Sequence, residues 1–135
     1  MLLEVLIGIL IFSIGVLSVV AMQAVAIKNV TQSKIRADAG FLAARLIAQM
    51  WTDSGNVASY AYPGSGTPPT RLTGWLGAVN SRLPTSASVP PIVTVTNADA
   101  TGATVTIVVR WQLPEEKSLG LPPNNYTVVA CVHGN

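Results

Sequence analysis

The sequence predicts an α+β protein in which a long N-terminal helix packs on a small antiparallel β-sheet. Three observations lead there. No charged residue occurs from Val5 to Ile27, and no proline interrupts residues 1 to 62. An apolar stripe at helical spacing continues beyond the uncharged run as Ile35, Ala39, Leu42, Leu46 and Met50, which is the pattern of a helix with one buried face. The last third of the chain holds three runs of β-branched residues alternating with polar ones, separated by turn-forming residues, the signature of paired strands.

The first element is an anchor by length. As a helix rising ~1.5 Å per residue, the roughly 23 residues from Val5 to Ile27 reach about 35 Å, enough to cross a hydrocarbon core of ~30 Å. Their only polar members are Ser13, Ser18 and Gln23. Ala24-Val25-Ala26 has the look of a signal-peptide cleavage site. A signal peptide, however, has a basic segment in front and an apolar core of about 7–15 residues, and here Glu4 stands in front of a longer run. Lys28, Lys34 and Arg36 follow the span with nothing basic before it, so the positive-inside rule alone would put the folded part in the cytoplasm. That conflict, and the cost of an acid at the lipid boundary, imply residues upstream and a partner for Glu4.

The polar segment Lys28-Asn29-Val30-Thr31-Gln32-Ser33-Lys34 marks the membrane boundary, with both lysines able to reach headgroups. Residues 1–27 are therefore the membrane-spanning half of the helix, and 28–135 a globular domain that includes the helix's second half to about residue 53. Gly55 is the expected C-terminal cap. From 55 to 70 the run rich in Gly, Ser, Pro, Tyr and Thr reads as a surface loop. Leu72, Trp75, Leu76, Val79 and Leu83 then mark a short amphipathic helix that Pro84 ends. Strands are expected over Ile92 to Asn97, Ala103 to Leu113 and Tyr126 to His133, with Ala98-Asp99-Ala100-Thr101-Gly102 linking the first two. Val105, Ile107, Val109 and Trp111 share one face, and so do Tyr126, Val128, Ala130 and Val132, while Thr104, Thr106 and Arg110 point away. The simplest way to remove the helical stripe and these faces from water is to pack them together. Leu42, Leu46, Trp75, Ile107, Val109 and Trp111 are the expected helix–sheet core.

Leu2-Leu3-Glu4-Val5-Leu6-Ile7-Gly8-Ile9-Leu10, running on to Met22-Gln23, resembles the N-terminal segment of type IV pilins and pseudopilins. Trp75 with Leu83-Pro84 eight residues on is similar to PilV-like minor pilins, and Val105-x-Ile107-x-Val109-x-Trp111 to both those and the minor pseudopilins of type II secretion. The resemblance is strong over residues 2 to 23 and moderate from Trp75 to Trp111, and the loops carry none. It implies a pilin-like fold and a non-enzymatic subunit. Such a subunit is held in the bacterial inner membrane by one span with a periplasmic domain, then assembled into a pilus at the cell surface. It implies that Glu4 neutralises the N-terminal amine of an adjacent subunit, since an opposite charge nearby makes a buried carboxylate tolerable. Leu2, Leu3, Val5, Leu6, Ile7, Leu10, Phe12 and Ile14 would line the membrane and filament core, and Gly8 and Gly15 would give the helix flexibility or close approach. The implied partners are other minor pilins, the major pilin, the inner-membrane assembly platform, membrane lipid before assembly, and a tip adhesin. In this family a basic leader ending in Gly precedes a methylated Phe. Met1 here stands at about the following Thr position, so the resemblance implies a leader and Phe upstream.

Two other readings stay open: a minor pseudopilin of a secretion piston, and a membrane-tethered periplasmic binding domain that never polymerises. Composition argues against several further classes. With 50% hydrophobic residues, 10% charged and a formal charge of +2, no basic cluster serves nucleic acid. Gly64-Ser65-Gly66-Thr67 lacks the lysine of a phosphate loop. Cys131 and His133, the only cysteine and histidine, are too few to hold zinc or build a nucleophile site. They are expected as a buried or half-buried strand pair. A single cysteine also excludes an internal disulfide. No cofactor, metal or catalytic residue is expected. The polar loop Gln112 to Asn125 and residues 55 to 70 are where a partner-specific surface is expected. Asn29-Val30-Thr31 and Asn125-Tyr126-Thr127 match the glycosylation pattern.

Overall fold

The computed structural model describes residues 1–99 and 102–133. Ala100 and Thr101, in the connection expected between the first two strands, lie outside the described residues, as do Gly134 and Asn135. The chain divides into two compact units, Met1–Lys34 and Ile35–Asn135.

The first unit is helix alone. It is the opening part of α1, which runs from Leu2 to Thr52 and is apolar enough to cross a membrane. No residue of 1–31 is buried by the rest of the chain. The hydroxyls of Ser13 and Ser18 donate to Ile9 O at 2.7 Å and Ile14 O at 2.9 Å, so their polarity is absorbed by the helix's own backbone.

The second unit is the α+β body, with the rest of α1 packed on a three-stranded antiparallel sheet. Ile35, Ala39, Leu42, Ala43, Leu46 and Met50 form its buried stripe. The sheet follows in the order β1 (Ile92–Asp99), β2 (Gly102–Trp111), β3 (Asn124–Val132). Val105 pairs with Ala130, Ile107 with Val128 and Val109 with Tyr126. The strict alternation along β2 buries Val105, Ile107, Val109 and Trp111 and turns Thr104, Thr106 and Arg110 outward. α2 (Thr73–Arg82) lays Trp75 and Val79 into the same core, and Leu83 before Pro84 turns extended, as a residue preceding proline does.

Several expectations are corrected. Helix α1 ends at Thr52, and the chain passes directly into a 3₁₀ run, Ser54–Tyr60. Gly55 lies inside that run and is not among the glycines with positive φ, so it is no left-handed cap. Residues 55 to 70 are not simply a surface loop. Val57 and Tyr60 are buried, and Tyr62 pairs with Val93 through N–H···O bonds of 2.8 Å in both directions. The apolar members of this segment are three or fewer residues apart in a short run with no sustained period, which is why the pattern reads as loop. The strands are shifted slightly: β1 extends to Asp99 past a bulge at Asn97, where φ is +51°, and β2 stops at Trp111. The connection after it contains a one-turn helix, α3 (Pro114–Ser118). There the Glu116 carboxylate accepts from Leu113 N at 3.0 Å and Asn124 Nδ2 at 2.7 Å.

Candidate functional site

The side chains expected to act belong to two places, and each lies within one unit. In the first unit, Glu4 occupies the first turn of α1, where a carboxylate interacts favourably with the helix's N-terminal partial charge. The backbone closes that turn with Val5 N to Met1 O at 3.2 Å. Around it Leu2, Leu3, Val5, Leu6, Ile7, Leu10, Phe12 and Ile14 are all exposed, from 48% for Ile7 to 83% for Leu2. In water such a continuous apolar surface is unfavourable by roughly 25 cal/mol per Å², and its length and composition are compatible with a membrane span. The helix runs unbroken through Gly8 and Gly15, and a Cβ added at either would touch nothing within 4 Å. These glycines leave open flanks on the helix.

In the second unit, Leu42, Leu46, Trp75, Ile107, Val109 and Trp111 are all buried in one cluster. Trp75 does more than fill space. Its Nε1 donates to Leu42 O at 2.8 Å, tying α2 to α1 across the core. Trp111 is as deeply buried, yet its Nε1 has no hydrogen-bond partner among the described residues.

A polar hub that the sequence reading missed sits just after α1. The Asp53 carboxylate accepts from Asn56 Nδ2 at 2.7 Å, from the Tyr60 hydroxyl at 3.0 Å and from the Arg71 guanidinium. The Asn56 bond above all, with Tyr60 and Arg71, outweighs the opposing effect of desolvation, which exceeds the Tyr60 bond and each Arg71 contribution taken singly, and holds the Asp53 carboxyl below the ordinary carboxylate range. Gln49 Nε2 adds a bond to Arg71 O at 3.1 Å. Asp53-x-x-Asn56 was the available signal, since Asp ahead of a turn commonly bonds groups two or three residues on.

Cys131 and His133 are not the inward pair expected. Both are exposed. The period of two along β3 sends Tyr126, Val128, Ala130 and Val132 toward the core, so Cys131 must face outward, where its sulfur lies 4.0 Å from Thr104 Oγ1. His133 stands past the end of β3 and stacks on Trp51, ring centroids 6.3 Å apart and planes 29° apart. Among the described residues no group of three His, Cys, Asp or Glu side chains converges as metal ligands.

The two expected partner surfaces differ in character. The first half of 55–70 is built into the core, whereas residues 112–125 present Leu119 at 74% and Leu121 at 48% exposure on a turn through Gly120. Gln112 Nε2 holds that turn by donating to Leu121 O at 2.6 Å. No protein-family model, curated protein or solved structure matches the chain.

Proposed function

We propose that this protein is a non-enzymatic minor pilin subunit of a type IV pilus, of the PilV-like kind. It is stored in the bacterial inner membrane by the first part of α1 and then packed into a filament. The observation that carries the reading is the double use of α1: an all-round apolar, exposed segment with Glu4 in its first turn, continuing into a striped segment buried on an antiparallel sheet. A plain membrane tether requires neither that acid nor a continuous helix across the boundary. In this reading Glu4 neutralises the N-terminal amine of a neighbouring subunit, and the exposed apolar side chains exchange lipid for adjacent helices. The partners are other minor pilins, the major pilin and the assembly platform, with the turn at Leu119 and Leu121 available to a partner at the tip.

Glu4→Ala tests it. The expected result is loss of the protein from sheared surface filaments, with unchanged amounts in membranes and unchanged protease resistance of residues 35–133. Retention in filaments would refute the assigned role of Glu4. A wild-type protein that supports secretion but never enters sheared filaments would identify a minor pseudopilin. Function without any polymer would identify a tethered binding domain.

A further inference from the structure

Three polar side chains interrupt the span, and the structure treats them differently. Ser13 and Ser18 satisfy their hydroxyl donors on the preceding turn. The Gln23 amide makes no hydrogen bond to any described residue. It lies in a shallow groove lined by Phe12, Gly15, Val16, Val19, Val20 and Gln23. At about 100° per residue, Phe12, Val16, Val19 and Gln23 follow one another at steps of four, three and four, the seam of a left-handed helix pair. Gly15 flanks the seam without a side chain, so a neighbouring backbone meets no obstruction there.

We propose that this seam docks a second copy of the same chain within the membrane, the two Gln23 amides hydrogen-bonding to each other. The proposal rests on the membrane reading above. Copies inserted the same way bring identical residues to the same depth, so a two-fold axis along the membrane normal sets Gln23 opposite Gln23. An amide both donates and accepts, and is therefore its own complement. Charge agrees with this occupant. From Val5 to Ile27 no residue is ionised, Glu4 falls to one side of the seam and Lys28 on the opposite side of the helix, so two copies approach without opposing like charges. In lipid, where apolar contact alone gives little preference for one helix face over another, an unsatisfied amide selects the face.

The test uses the full chain in its own membrane, with Cys131→Ser to remove the natural thiol. Single cysteines replace Val16 or Val19 on the seam, or Leu17 or Ala21 on the opposite face, and disulfide-linked dimers are quantified after mild oxidation. Dimers are expected from positions 16 and 19 and not from 17 and 21. Gln23→Leu should lower the dimer equilibrium about threefold to thirtyfold, the span of measured interhelical hydrogen bonds, and Gln23→Asn should preserve most of it. Cross-linking equal on all faces, insensitivity to Gln23→Leu, or adducts only with a different protein would overturn the proposal. Carbonate extraction separates the two claims: release of the wild-type chain from membranes refutes the membrane reading and the seam with it. Retention without seam cross-links refutes the seam alone.

Discussion

Trp75 and Trp111 form a natural matched pair, and replacing each by Phe isolates the worth of one hydrogen bond. The two indoles are 2% and 3% exposed and belong to the same core. Trp→Phe deletes the same atoms at both sites, so the transfer and cavity contributions largely cancel in the difference. What remains is the fate of Nε1. At Trp75 the substitution removes a bond to Leu42 O of 2.8 Å, a loss of about 0.5–1.5 kcal/mol net. At Trp111 it removes a buried donor without a partner among the described residues, a relief of about 1–3 kcal/mol. Trp75→Phe should therefore be more destabilising than Trp111→Phe by about 1.5–4.5 kcal/mol. Pulse proteolysis of the full chain across a urea series in nonionic micelles measures it. With a slope of about 1–3 kcal/mol per molar urea, the midpoints should separate by at least ~0.5 M. Coincident midpoints, or Trp111→Phe as the weaker protein, would refute the reasoning.

Two further outcomes use the same assay. Leu46→Ala, at a fully buried position of α1, keeps a good helix former and should cost about 2–5 kcal/mol, whereas Leu10→Ala, exposed in the first unit, should leave the domain within about 0.5 kcal/mol of wild type. Asp53 adds a pH dependence: its folded carboxyl lies below the ordinary range, so the unfolded chain binds more protons between the two values and stability rises with pH there. The contribution is complete above the unfolded value of about 3.9 and disappears as pH falls through the lowered folded value. Asp53→Asn should be less stable than wild type at pH 6 and converge with it in strong acid, and parallel curves throughout would contradict the hub.

The long helix and the sheet were legible because each rests on a sustained period. Ile35 to Met50 repeat over four turns, and Val105 to Trp111 alternate over a whole strand. The same arithmetic identified the buried positions, since periodicity says which side chains share a face and the only large complementary face was the sheet. The segment from Ser54 to Tyr62 carries no such period. Val57, Tyr60 and Tyr62 reach the core from a 3₁₀ turn and one bridge, and neither leaves a repeating trace in sequence. Cys131 is exposed although the alternation of its neighbours agrees with the sequence pattern. The alternation that puts Ala130 and Val132 inward fixes Cys131 outward. The Asp53 hub joins residues up to 22 positions apart, a distance at which pairing follows from the fold and not from local pattern.

The division of α1 also gives the two parts of one helix different surroundings. Its first part has no inner face: every apolar side chain from Leu2 to Ile27 is exposed, so its energy depends on what surrounds the chain, lipid or other helices. From Ile35 onward the helix has one buried stripe, and its energy depends on the chain's own sheet. On the proposed seam, substitutions in the first part act on association and those in the second on folding, and sites with no shared contacts add independently. Gln23→Leu and Leu46→Ala in one chain should accordingly show the dimer loss of the first and the midpoint shift of the second, each unchanged by the other. A double variant in which the seam loses more than Gln23→Leu alone would mean that the apolar segment and the folded domain are coupled through the helix they share.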